Sequence, residues 1–154
     1  MGWRLFKKPI ADKLVRGIYA GVIAGLLKDI PALIFELLFK NPHPTFWDYM
    51  SLLAIGRLPR SWDEYVMAII VQVLWCTLLA VAFVYLHPKL QSKHYIIQGA
   101  GFGILIWLVI RGLVYFFRTP DLIHDSPLTA MMNVNISIFY GIIVAIVDKK
   151  LADK

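Results

Sequence analysis

Four long apolar runs set the limits on what this chain can fold into. They cover about Leu14–Phe39, Tyr65–Leu86, Tyr95–Phe117 and Leu128–Val147. Each reaches the roughly 20 residues that a helix needs to cross about 30 Å of hydrocarbon. Backbone polar groups in lipid must be satisfied within their own segment, so such runs fold as helices. Composition agrees. The chain is 59% hydrophobic and 17% charged, with a mean hydropathy of +0.67, against about 45–50% apolar and about 25% charged residues in an average soluble domain. The expectation is an all-α integral membrane protein, a single domain over residues 1–154, with four transmembrane helices at 14–39, 65–86, 95–117 and 128–147.

The linkers add detail. Between the first two runs lies KNPHPTFWDYMSLLAIGRLPRSWDE. Its Phe46–Leu58 piece is too short to span, yet apolar and aromatic enough for a short interfacial helix. The linker HPKLQSKH reads as a tight turn. Ser126 is placed to cap the fourth helix, with Pro127 in its first turn. Orientation follows from the loop cations. Arg4, Lys7, Lys8, Lys13, Lys89, Lys93, Lys149, Lys150 and Lys154 fall on one side, and Lys40, Arg57, Arg60 and Arg118 on the other. The richer side is expected to be cytoplasmic, so the chain is expected to lie in a cell (plasma or inner) membrane as a multi-pass protein with both ends in the cytoplasm.

Several function classes find little support. The net charge is +6, but the basic residues sit at the ends of apolar runs. That suits membrane lipids better than nucleic acid. Cys76 is the only cysteine, which excludes an internal disulfide and a cysteine metal cluster. His43, His87, His94 and His124 all fall in expected loops, and no paired-histidine metal motif is present, so no metal or cofactor is expected. Ser137 and Thr77 have no histidine base within reach in the sequence pattern, so no enzyme activity is expected.

Small residues mark the packing faces. Gly17, Gly21 and Gly25 recur at four-residue steps and lead to Asp29. Gly99 and Gly103 recur likewise and lead through Trp107 to Arg111. Such stripes let a second backbone approach closely. The partner is either a helix of the same chain, a second copy, or another membrane protein. The matching stripes also read as a parallel duplication of a two-helix unit.

The charges inside the runs need an account, because a charge at mid-membrane costs at least about 2.5–3.5 kcal/mol. Lys28 and Asp29 stand about 100° apart on a regular helix and do not face each other. Asp29 and Arg111 extend equivalent stripes to similar depth, so an Asp29–Arg111 ion pair is expected. Pro31 frees the carbonyl of Leu27, close to Lys28. Gln72, Asn133 and Asn135 fall in the same outer half, with Glu36 nearer the mouth, while the inner half reads as apolar and glycine-rich. The pattern suggests a polar pocket open or gated to the outside, with Lys28, Asp29 and Arg111 as its charged floor. The alternative is that the same residues are interhelical glue in a structural or accessory subunit.

Gly17-x-x-Ala20-Gly21, followed seven residues later by Lys28, resembles the first helix of YagU-like inner-membrane proteins. Pro88-Lys89-Leu90 and then Gln98-Gly99-x-x-x-Gly103 resemble the same family's entry into its third helix. The loop with Pro120-Asp121 and a polar fourth helix also fit. A similar plan occurs in YqhR-like proteins of spore-forming bacteria. The resemblance implies a small four-helix bacterial membrane protein, and YagU-like members are linked to acid resistance. The chain departs at Arg111, where the resemblance leads one to expect a neutral or titratable residue; arginine does not titrate, which favours a fixed ion pair or an anion site. The functional expectation is a non-enzymatic protein whose outward-facing pocket binds or passes a small solute, lipid headgroup or proton.

Overall fold

The structure is a computed structural model, and it describes residues 10–31, 33–34, 46–90, 94–117 and 126–152. These residues are helical throughout, apart from turns and short connections. In chain order the elements are α1 (Lys13–Leu27), α2 (Phe46–Ile55), α3 (Trp62–Leu86), a 3-10 turn (His87–Leu90), α4 (Tyr95–Phe116) and α5 (Pro127–Ala152). Helices α3, α4 and α5 are each long and apolar enough to cross a membrane. Much of their apolar surface faces outward, with Leu74, Leu78, Leu105 and Leu108 all more than half exposed. Lipid is the solvent that such a surface suits.

The first apolar run behaves differently from the other three. Asp12 caps α1, its carboxylate accepting from the N–H groups of Leu14 (2.8 Å) and Val15 (3.4 Å). The regular helix then stops at Leu27, and Lys28 is a turn. Pro31 lies four residues beyond Leu27 and has no N–H to give its carbonyl. Helical geometry resumes over 29–31 and 33–34, and residues 35–45 lie outside the described residues.

Local chemistry fixes the other boundaries. Gly56 takes a φ of 74° just past α2, while its N–H donates to Leu52 O at 3.0 Å, a left-handed stop that glycine accepts without strain. Ser126 caps α5 as expected, accepting from Thr129 N–H at 3.1 Å, and Pro127 begins the helix. Helix α5 runs on past Val147 because Val144, Asp148 and Leu151 continue its buried face.

The helices pair through their glycines. A Cβ on Gly17 would lie 2.7 Å from Val81 Cα, one on Gly21 would strike Thr77 Cα, and one on Gly25 would lie 3.0 Å from Cys76 Cβ. The α1 stripe is therefore closed by α3. On the other side, a Cβ on Gly99 would meet Ala145 Cβ at 2.8 Å, and one on Gly103 would meet the Ser137 carbonyl carbon at 2.7 Å. Gly141 of α5 returns the contact, facing Gly99 O. Both stripes thus pack against the next long helix of the same chain, and in both pairs the second glycine faces a hydroxyl residue, Thr77 or Ser137.

The two pairs meet along a seam of larger side chains. Phe83 and Phe102 pack with ring centroids 5.1 Å apart. Tyr140 donates its hydroxyl to Cys76 O at 2.5 Å. Ala20, Ala24, Ile106 and Val144 fill the space between. Cys76 is a buried free thiol within this core. Helix α1 also packs along α5, and Ile10 N–H donates to Leu151 O at 3.0 Å. The end of the bundle near Ile10 and Leu151 is called basal below, and the opposite end apical.

Candidate functional site: the apical polar cluster

Lys28, Asp29 and Gln72 come together at the apical end. Lys28 Nζ lies 2.7 Å from Asp29 Oδ1, and Lys28 is only 3% exposed. Neighbouring residues on a continuous helix point apart, but the turn at Lys28 lets these two side chains meet. Gln72, fully buried on α3, donates its amide to Asp29 Oδ2 and lies 3.5 Å from Gly25 O. Trp47 of α2 donates its indole N–H to the same Oδ2 at 3.3 Å. The Phe46 ring covers the ammonium, its centroid 4.1 Å from Lys28 Nζ. A buried cation therefore has one carboxylate and one aromatic face, and the carboxylate accepts from three groups.

Helix α2 closes this cluster from above. Tyr49 and Met50 pack with Val71 and Trp75 of α3 and with Ile110 and Val114 of α4. Ser51 is fully buried and donates to Arg57 O at 2.8 Å. Arg57 also forms a two-pronged ion pair with Glu64, whose Oε2 accepts from Arg60 N–H at 2.8 Å. These bonds tie the connection after α2 to the first turn of α3.

Other expected site residues lie elsewhere. The Asp29–Arg111 ion pair does not form. Asp29 is occupied by Lys28, Gln72 and Trp47, because α1 packs on α3 and α5 and not along α4. Arg111 lies over the Tyr115 ring, 5.1 Å from its centroid, with Nη2 3.4 Å from the hydroxyl. Asn135 is exposed and turns back onto its own helix, donating to Met131 O at 2.7 Å. Asn133 is half-buried, with its Nδ2 buried. Glu36 lies outside the described residues, as do His43 and His124.

The apical half also holds buried polar atoms that have no hydrogen-bond partner among the described residues: Gln72 Oε1, Trp75 Nε1, Trp107 Nε1 and Asn133 Nδ2. Trp107 stands one turn beyond Gly103, and Asn133 one turn before Ser137. The Gly103–Ser137 contact therefore sets these two at one level. Three of the four atoms are donors, and an indole N–H can only donate.

The basal half is not the apolar plug that its sequence suggests. Asp148 of α5 is 3% exposed. Arg16 Nε lies 3.1 Å from its Oδ1, off the N–H axis, which makes the contact an ion pair and not an aligned hydrogen bond. His87 Nε2 is 3.4 Å from Asp148 Oδ2, and His87 Nδ1 is 3.2 Å from Gln98 Oε1. The imidazole stacks on Phe83 at 5.4 Å.

Sequence reading missed this second cluster because Asp148 sits beside Lys149 and Lys150 and reads as part of a charged tail. The signal was the spacing of Gly141, Val144, Asp148 and Leu151, which keeps Asp148 on the packed face. Trp47 was likewise absorbed into an aromatic interfacial helix.

No protein-family model matches the chain, and no curated protein or solved structure matches it.

Proposed function

We propose that this chain is a small, non-enzymatic, four-span membrane protein whose apical half holds a gated site for a small polar solute or lipid headgroup. On this reading α1 continues across the bilayer beyond its break, both ends of the chain face the cytoplasm of a bacterial cell, and α2 is the outward cover. The resemblance to YagU-like and YqhR-like proteins belongs to the same proposal.

The observation that carries it is the set of buried atoms on Gln72, Trp75, Trp107 and Asn133 that have no partner among the described residues. Each buried polar group left without a partner costs about 1–3 kcal/mol. A solute or ordered water that supplied the partners would recover it. The excess of donors favours an occupant rich in acceptor oxygens. Lys28 and Asp29 neutralise each other and so shape the site without giving it a net charge.

Thiol labelling tests the proposal. In a Cys76→Ala background, Gln72→Cys or Asn133→Cys should react with a membrane-impermeant thiol reagent added from outside, and faster when Trp47→Phe loosens α2. If neither position reacts in folded, inserted protein, the accessible site is lost.

A second reading, the structural subunit, draws on one specific observation: Lys28 already has both Asp29 and the Phe46 ring. It expects no labelling and no solute-dependent change in stability.

A further inference from the structure

We propose that the basal rim of the bundle, along the ends of α1, α4 and α5, is a seat for the headgroup of an anionic phospholipid. This seat needs only helices that stand in lipid, so it is independent of the apical solute site.

Charge divides unevenly between the two ends. Among the described side chains, the apical end carries Lys28, Arg57, Arg60 and Arg111 against Asp29, Asp48, Asp63 and Glu64. The basal end carries Lys13, Arg16, Lys149 and Lys150 against only Asp12 and Asp148. The adjoining sequence widens the difference. Residues 1–9, 89–93 and 153–154 add six cations and one carboxylate, while residues 35–45 and 118–125 add two cations and three carboxylates.

The cations also differ in what they already hold. At the apical end Lys28 is paired with Asp29, Arg57 with Glu64, and Arg111 lies over Tyr115. At the basal end Arg16 is paired with Asp148. Lys13, Lys149 and Lys150 are exposed, and none of the three meets a carboxylate among the described residues.

These three lysines lie along adjoining helix ends. Ile10 N–H donates to Leu151 O at 3.0 Å, which sets the start of α1, with Lys13, beside the last turn of α5. Lys149 Nζ stands 4.0 Å from the Tyr95 ring centroid, which sets the same turn against the start of α4. The ring covers one face of the ammonium and leaves N–H donors for a phosphate oxygen. A side chain already held in place loses less freedom when the headgroup arrives.

Beside the cations the outward surface turns apolar, with Leu14 of α1 47% exposed and Ile97 of α4 68% exposed. An anionic phospholipid matches both parts, its phosphate on the lysines and its acyl chains along Leu14 and Ile97. A soluble anion would use only the first.

The test titrates the full chain in detergent with phosphatidylglycerol or phosphatidylcholine and reads bound lipid by native mass spectrometry. Wild type should bind phosphatidylglycerol at least about fivefold more tightly, and Lys13→Gln, Lys149→Gln and Lys150→Gln should each weaken that binding by up to about fivefold. Lys149→Arg, which keeps the charge, should retain the preference, as should Arg60→Gln at the apical end. Equal binding of the two lipids by wild type overturns the seat without recourse to any variant. A preference that survives the three basal glutamine changes together, or that is lost in Arg60→Gln, overturns its location. Glycerol phosphate, which has the phosphate without the chains, should not displace the lipid at equal concentration, and displacement would overturn the lipid as occupant.

Discussion

At the scale of single residues, the chain handles the charges within its apolar runs locally. Lys28 is almost fully buried, and among the described residues its one carboxylate partner is Asp29. Removing one partner of a buried pair leaves an uncompensated charge, at a cost of about 3–5 kcal/mol. Asp29→Asn should therefore lower thermal stability sharply. Arg111→Gln should leave the Lys28–Asp29 pair intact, because Arg111 lies over Tyr115 and does not meet Asp29. The double Asp29→Arg/Arg111→Asp exchange should fail to restore stability, and a rescue would contradict the packing described here. Replacing both members with apolar residues, Lys28→Met with Asp29→Leu, should come out close to neutral in the same melting assay.

The sequence exposed Lys28, Asp29 and Gln72 as special because polar residues inside apolar runs are costly. It could not assign their partners. Pairing by equal depth pointed to Arg111, while the turn that brings Lys28 onto Asp29 depends on how Pro31 breaks the helix.

At the scale of helices, glycine positions separate into two kinds. Gly21 and Gly103 lie against backbone of the facing helix, whereas a Cβ on Gly101 or Gly112 would meet open space. Gly21→Ala and Gly103→Ala should each force the helices apart and destabilise by about 1–3 kcal/mol, as overpacking does. Gly101→Ala and Gly112→Ala should be neutral or stabilising by up to about 1 kcal/mol through helix propensity. Chemical denaturation of the four variants in one detergent checks the contrast.

Helix α2 is held over the apical cluster partly by one indole hydrogen bond. Trp47→Phe should weaken its docking by about 1 kcal/mol, read as faster hydrogen exchange across Phe46–Ile55 while α3 stays protected. The stripes themselves were legible in the sequence, since small residues at four-residue steps have a direct physical use. Their partners were not, because Gly141, Ser137 and Thr77 gain meaning only from the register of the facing helix.

At the scale of the whole molecule, the fold is two glycine-packed pairs, α1 with α3 and α4 with α5, joined along one seam. Each pair is built from consecutive long helices, so cutting the chain in the connection at residues 91–93 should leave two pieces that find each other. Fragments 1–90 and 94–154 co-expressed in membranes should co-purify through a tag on either one. Arg16→Ala, which removes the α1–α5 ion pair to Asp148, should reduce the recovery. The all-helical class and the three long apolar helices were readable from hydropathy alone. The basal cluster was not, because the Arg16–Asp148 and His87–Asp148 contacts join residues far apart in the sequence and no local pattern records them.

The two kinds of helix contact also differ in compliance. Where Gly103 meets the Ser137 backbone, no side chain lies between them that could turn to absorb a displacement. Such a pair transmits force as a single stiff beam. The seam is built otherwise, from Phe83, Phe102 and Tyr140, whose rings can tilt and slide by small rotations of their bonds. Any bending of the surrounding bilayer would be taken up there, as a rocking of one beam against the other. The apical and basal clusters lie at the two ends of that rocking lever, so opening at one end would register as strain at the other.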